Sequence, residues 1–148
     1  MASKKIRKYA VDSSVAVKWF VDEKGSDSAR FLEAEFAEGN LELMAPTLLK
    51  YEVASALRRH PLAHLKPPEI AGALEVIDRY HFLYDPTPQA WTHAIDLSNA
   101  AKISVYDAVY VAFAHAIDSH LVTTDEKLIK SLPLSERDII LHLGELEK

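Results

Sequence analysis

Short apolar runs alternate with helical stretches along the whole chain, and that alternation leaves few folds open. Tyr9-Ala10-Val11, Leu41 to Ala45, Phe82 to Tyr84, Leu121 to Thr124 and Ile139 to Leu143 read as strands. A helix follows Asp12, with Val15, Val17, Trp19 and Phe20 as its apolar residues, and another runs from Ala29 to Ala37 and closes at Gly39. Pro46 suits the first turn of a helix whose face is Leu49, Val53, Ala56 and Leu57. The stretch from Pro61 to Pro68 breaks the chain, and Pro67-Pro68 opens a helix carrying Ile70, Leu74 and Ile77. Thr87 before Pro88 starts another, on which Trp91, Ala94, Ile95 and Ala101 share a face. The segment from Ser104 to Ile117 is apolar almost all round, which makes it a buried helix, and a short helix runs from Asp125 to about Leu132. Strands alternating with helices build a parallel sheet covered on both faces. The expectation is an α/β fold, a three-layer α/β/α sandwich around a central, mainly parallel sheet. With 148 residues, no internal repeat and no long linker, one domain over residues 1–148 is expected.

The position of the acidic residues within this pattern suggests where chemistry takes place. Asp12 and Asp125 stand directly after strands, Asp107 lies in the first turn of the buried helix, and Glu52 lies on the helix that follows the second strand. Open α/β sheets bind ligands outside the carboxyl ends of their strands. A set of four carboxylates there suits a hard cation such as Mg2+ or Mn2+, which takes oxygen ligands. Two unit charges about 4 Å apart repel by roughly 4 kcal/mol at an effective dielectric near 20, and a divalent ion removes that repulsion. Capping accounts for the same residues one at a time: Ser104-x-x-Asp107 matches a capping box, and Asp12 and Asp125 can each cap the helix that follows. Glu52 alone is an ordinary solvated helix residue. On spacing alone, both readings stand.

Composition narrows the alternatives. Cysteine is absent, which excludes disulfides, thiolate nucleophiles and cysteine-held zinc, and suits a reducing cytoplasm. Lys4, Lys5, Arg7 and Lys8 resemble the start of a signal peptide, but Asp12 and Lys18 interrupt the apolar segment that would have to follow. No apolar run approaches the roughly 20 residues of a membrane span, so a cytoplasmic protein is expected. The 17 basic and 22 acidic residues give a net charge of −5, so nucleic acid can be met only through a local basic patch or a bound cation. A haloacid-dehalogenase phosphatase would carry a second Asp where Ser14 stands, and none of Gly25, Gly39, Gly72 and Gly144 belongs to a phosphate-binding loop. A regulatory domain that keeps an acidic pocket to hold a partner is the main non-enzymatic alternative.

Four blocks, V-D-S-S-V-A-V-K-W-F around Asp12, Y-E-V-A-S-A-L around Glu52, S-V-Y-D-A-V-Y-V-A-F-A around Asp107 and L-V-T-T-D-E-K-L around Asp125, resemble in order the motifs of the PIN domain family. Within it the VapC-like ribonuclease toxins of prokaryotes are the branch most resembled. The resemblance covers Val11 to about Leu128. It implies an endoribonuclease dependent on Mg2+ or Mn2+, hydrolysing RNA with a metal-activated water. Asp12, Glu52, Asp107 and Asp125 would be its catalytic and metal-binding residues, and Ser13 and Thr123 would support them by hydrogen bonds. It also implies single-stranded or structured RNA as substrate, a small antitoxin protein as partner and paired subunits. A non-toxin nuclease of RNA processing is the alternative within the family. Together with the 49% apolar composition, the resemblance points to a homodimer, for which the apolar faces between Val53 and Tyr80 offer a contact surface.

The remaining candidates have plainer readings. His60 and His64 are four apart but flank Pro61 in the chain break, and His115, two turns beyond Asp107, reads as a packed or hydrogen-bonded residue rather than a ligand. Trp19, Trp91 and the tyrosines of the Asp107 helix read as core. Lys18, Arg58, Arg59 and the N-terminal basic run are candidates for contacts with RNA phosphates.

Overall fold

A computed structural model describes residues 5–146. Five strands form one sheet in the order β3-β2-β1-β4-β5, every neighbouring pair parallel. They are β1 (Arg7–Val11), β2 (Leu41–Pro46), β3 (Leu83–Tyr84), β4 (His120–Thr123) and β5 (Ile140–His142). The helices are α1 (Ser13–Ala16), α2 (Ser26–Ala37), α3 (Leu48–Arg59), α4 (Pro67–Tyr80), α5 (Pro88–Ala101), α6 (Val105–Ala116), α7 (Glu126–Ser131) and α8 (Leu134–Arg137), with 3-10 turns at Val17–Trp19 and Leu143–Glu145. This is the expected three-layer α/β/α sandwich, and its sheet is wholly parallel.

The central strand is the reason for the layout. From β1 the chain moves outward on one side through β2 and β3, then crosses back to β4 and β5 on the other side. The direction of winding therefore reverses between β1 and β4, where Val11 pairs with Val122. In a doubly wound sheet that reversal opens a crevice at the carboxyl ends of the two strands. Asp12 closes β1 on that edge, and Asp125 lies two residues past β4.

The core is built from the apolar faces the sequence outlines. Val11, Val15, Leu49, Val53, Leu57, Ile77, Leu121 and Val122 are at most 1% exposed. Helix α6 crosses β1, β2 and β4 and is buried from Ala108 to Ala114, with α5 packed along it. Trp19 sits in an aromatic cluster with Phe36, Tyr80 and Phe82, and its indole donates to the Ala29 carbonyl at 3.0 Å. Gly39 adopts φ +79 just past α2, the left-handed conformation that ends a helix most readily at glycine.

Several expectations are corrected. Pro46 does not open a helix: it ends β2, paired with Tyr84, and α3 begins two residues later. Proline lacks an amide proton, but a strand terminus needs none there. Helix α1 is only four residues long before the chain tightens into the 3-10 turn. Trp91, Ile95, Tyr106 and Val105 are exposed, because α5 buries Ala90, Ala94 and Leu97 instead and the start of α6 projects from the sheet edge. The apolar faces between Val53 and Tyr80 are partly spent within the chain, where α3 and α4 pack on one another and bury Val53, Leu57, Ala73 and Ile77, while Leu62 stays exposed. Helix α8 has no counterpart in the sequence reading. No helix among the described residues is long and apolar enough to cross a membrane.

Candidate active site

Each of the four acidic residues is set by a local rule of chain geometry. Asp12 follows β1 and caps α1: its Oδ1 accepts from the Ser14 amide at 3.0 Å and from Ser14 Oγ at 2.5 Å. Its Oδ2 accepts from Thr123 Oγ1 at 2.5 Å, which ties β1 to β4 through side chains as well as backbone. Asp125 caps α7 in the same way, with Oδ1 accepting from the Leu128 amide at 3.0 Å, while its own amide donates to Thr123 Oγ1 at 3.0 Å. Thr123, fully buried, thus stands between the two aspartates. Asp107 occupies the third position of α6, behind the Ser104 cap, whose Oγ accepts the Asp107 amide at 3.0 Å. Glu52 comes from α3 and is held by two donors: Tyr110 Oη at 2.6 Å and Ser13 Oγ at 3.3 Å.

Capping and clustering are therefore compatible. Asp12 and Asp125 each use one oxygen to close a helix, and capping leaves Oδ2 of Asp125 uncommitted among the described hydrogen bonds. Ser13 and Thr123 do support carboxylates, Ser13 that of Glu52 and Thr123 that of Asp12. Ser14 and Tyr110 support them too, and the sequence reading missed both. Tyr110 was legible in one respect: it lies three residues after Asp107, on the same face of the helix.

The electrostatics show that charges within the acidic set act on one another. Burial pushes the Asp12 carboxyl up to about 6, against the pull of its hydrogen bonds from Ser14 and Thr123, and the Asp125 charge adds to the rise. Partial burial also raises Asp107, as do the charges of Asp125 and Glu52, while Ser104 and Lys127 oppose them. The Tyr110 phenol is raised by burial and by the Glu52 and Asp12 charges. None of the four carboxylates takes part in an ion pair among the described residues. A set of like charges, Asp12 buried and the other three half-buried, without a protein cation fits a divalent ion in its donor chemistry: all oxygen, all anionic. The carboxylates do not close on one another as tightly as a dry chelate. Among the described residues, the one group of three whose ligand atoms lie within 4.8 Å of each other is His93, His115 and Glu136, elsewhere in the fold. A wider acidic set suits Mg2+, which keeps several of its waters and takes only one or two carboxylates directly.

Beside the acids runs a groove lined by Ser13, Tyr51, Glu52, Ser55, Arg59 and Tyr106. Tyr51 is 77% exposed and Tyr106 61%, so two aromatic rings flank Glu52 with nothing covering them among the described residues. Lys18 is not part of this surface, since it pairs with Glu23 at 3.0 Å and is largely buried. His60 pairs with the same Glu23 at 3.0 Å and shares no ligand geometry with His64. Lys5, Arg7 and Lys8 line a cleft at the opposite edge of the sheet, and Lys4 lies outside the described residues.

The model of the PIN domain family matches residues 9–131. No curated protein matches the chain by sequence. Among solved structures, PAE2754 from Pyrobaculum aerophilum is similar at 18% identity and TM-score 0.66, over 95% of this chain and 93% of that one. VapBC2 from Rickettsia felis, solved bound to a DNA fragment from their promoter, is similar at 16% identity and TM-score 0.68, over 91% of this chain and 98% of that one. At such identities the likeness is one of fold.

Proposed function

Because this chain belongs to the PIN domain family, we propose that it is a divalent-metal-dependent endoribonuclease acting as one domain, and that it serves as the toxin of a toxin–antitoxin pair. The observation that carries the reading is the convergence of Asp12, Asp107 and Asp125 at the carboxyl edge of the sheet, with Glu52 drawn toward them by Ser13 and Tyr110. The likeness to VapBC2, seen with promoter DNA, supports the toxin reading and the existence of a small antitoxin.

In this reading Asp12, Glu52, Asp107 and Asp125 hold Mg2+ or Mn2+. Such an ion supplies Lewis acidity toward a phosphate and makes a water in its shell a stronger nucleophile. Thr123 and Ser14 fix both oxygens of Asp12, so that carboxylate presents one orientation to a ligand. Tyr110 and Ser13 do the same for Glu52. Burial raises the Asp12 carboxyl to about 6, and a bound cation would favour its charged form. Tyr51 and Tyr106 offer faces on which unpaired bases stack, and Arg59 offers a charge for a phosphate, which favours single-stranded RNA in the groove. The protein's net charge of −5 makes that local chemistry necessary for RNA to approach.

The test is cleavage of single-stranded RNA by purified protein, with Mg2+ or Mn2+ and with EDTA. Cleavage that EDTA stops and Asp125→Asn abolishes is expected. RNA binding without cutting at any metal concentration would overturn the nuclease in favour of a binding domain with an acidic pocket. Induction of the chain alone should arrest growth, and co-expression of the small protein encoded beside it should restore growth. Unimpaired growth with active protein in the cell would remove the toxin assignment and leave the nuclease.

A further inference from the structure

We propose that His93, His115 and Glu136 form a second metal site, built for a transition ion of the Zn2+ type and separate from the acidic cluster. Three helices contribute one ligand each. His93 lies on α5, His115 on α6 and Glu136 on α8. Nε2 of His93 stands 3.2 Å from Oε1 of Glu136, and Nε2 of His115 stands 2.5 Å from Oε2. The two rings are 4.9 Å apart between centroids at 48° to each other, and one ligand atom from each residue lies within 4.8 Å of the other two.

These separations suit an ion seated among the three. Zinc binds imidazole nitrogen and carboxylate oxygen at about 2.0–2.2 Å, so tetrahedral ligand atoms stand about 3.3 Å apart. Nε2 of His93 is already at that spacing from Oε1 of Glu136, and ligand atoms that lie within 4.8 Å of one another need to draw together by at most about 1.5 Å. Coordination through Nε2 requires each ring to carry its proton on Nδ1. Neither Nδ1 has a partner among the described hydrogen bonds, so both face the change of tautomer unhindered. Both imidazoles are about one-third exposed, which leaves a fourth position open to water.

The donor set selects its ion. Two imidazoles with one carboxylate suit zinc, cobalt, nickel or copper, whereas Mg2+ and Ca2+ take all-oxygen sets. His115 is eight residues beyond Asp107, roughly 12 Å along the helix at about 1.5 Å per residue. The two sites are distinct, and the second does not rest on the nuclease reading.

The site also has a structural task. From Pro133 to Asp138 every residue is exposed except Glu136, and Leu134 is 77% exposed. Arg137 bonds only to carbonyls of Lys130 and Leu132, at the end of the preceding helix. The Glu136 carboxylate is therefore what holds α8 against α5 and α6, just ahead of edge strand β5. An ion at this point clamps the last strand's approach to the body of the fold.

Untagged protein, stripped with EDTA and returned to millimolar Mg2+ to fill any oxygen site, should be titrated with Co2+ and then Zn2+. The expected result is an intense visible Co2+ spectrum of low coordination number, bleached by stoichiometric Zn2+, with a higher Tm in Zn2+. His93→Ala and His115→Ala should each weaken binding at least about tenfold, and Asp107→Asn should leave it unchanged. Binding weaker than millimolar, or a spectrum and Tm shift that persist in the His93→Ala/His115→Ala double variant, would overturn the site and leave a hydrogen-bonded clasp. If the double variant does not fold, the unmutated protein decides: only the faint bands of octahedral Co2+ at saturation also overturn the proposal.

Discussion

Tyr110 on α6 donates its phenol to Glu52 on α3 at 2.6 Å, joining residues that are 58 positions apart. Three residues before it on α6 stands Asp107. The bond therefore sets the distance between two carboxylates by tying together the helices that carry them. Ser13 adds a weaker second tie to Glu52, from α1.

Tyr110→Phe should separate positioning from ligation. The ring still packs, but Glu52 loses its closer donor. A hydrogen bond to a charged acceptor contributes about 1.5–3 kcal/mol, so Tm should fall by several degrees. Apparent Mg2+ affinity should fall several-fold while RNA binding without metal stays the same. Calorimetric Mg2+ titration alongside thermal melts checks this, and unchanged Mg2+ affinity would refute the positioning role.

Asp107→Asn should uncouple stability from activity. Ser104, not Asp107, caps α6, so the substitution leaves the helix start intact. Relief of repulsion from Asp125 and Glu52 should leave the metal-free Tm unchanged or higher. RNA cleavage should fall by orders of magnitude, and Mg2+ should no longer raise Tm. Asp78→Asn, which breaks only an exposed pair with Lys50, should change stability by less than about 1 kcal/mol and leave activity alone. Full-rate cleavage by Asp107→Asn would defeat the acidic-site mechanism.

The buried Asp12 predicts a pH dependence of unusual sign. Its folded pKa, about 6, lies above the ordinary value of 3.8, so between these values the folded state binds more protons than the unfolded state. Stability of the metal-free protein is therefore lost as pH rises from about 4 to about 6, by at most roughly 3 kcal/mol for a rise of about two units. Asp107, also raised, acts in the same direction. Melts in EDTA from pH 4 to 8 should show a contribution of this sign in the unmutated protein and its loss in Asp12→Asn. Identical pH profiles for the two proteins would count against the burial argument.

Thr123→Val keeps the shape of a fully buried side chain and removes the hydroxyl that serves both Asp12 and Asp125. A buried group left without its partner costs about 1–3 kcal/mol. With one lowering influence removed, the Asp12 pKa should climb further. Urea unfolding should report the loss. The acid limb of the cleavage–pH profile should move to higher pH, and a limb that stays in place would show that Thr123 does not tune Asp12.

The fold was largely legible because every strand is a short apolar run and the helices between them keep their apolar spacing. What misled was local. Pro46 reads as a helix start, yet the parallel partner Tyr84 keeps it in β2. Trp91 and Ile95 read as core by hydropathy, but one face of α5 suffices for packing, and Ala90, Ala94 and Leu97 occupy it. The four acids could be picked out because each sits at a strand or helix boundary or within a familiar motif. Their supports could not all be found that way. Ser14 sits two residues from the Asp12 it supports and reads in the sequence only as a polar residue at a helix start, whereas Tyr110 acts through a contact 58 residues distant, which no local pattern records. The His93–His115–Glu136 group was hidden for the same reason, since it depends on a four-residue helix too short to leave a periodic signal.

The pairing of β1 with β4 also sets the order in which the protein can mature during synthesis. Asp12 emerges from the ribosome well before Thr123, which fixes its orientation and lies 111 residues later. Until β4 is released, β1 has a neighbour on one side only and the crevice has one wall. Contacts of such long range form slowly and late. The acidic edge is thus assembled only after β4 has been made. A fragment stalled before β4 carries Asp12 and Glu52 as separate carboxylates on an unfinished sheet. The topology itself postpones the site until β4 has been released.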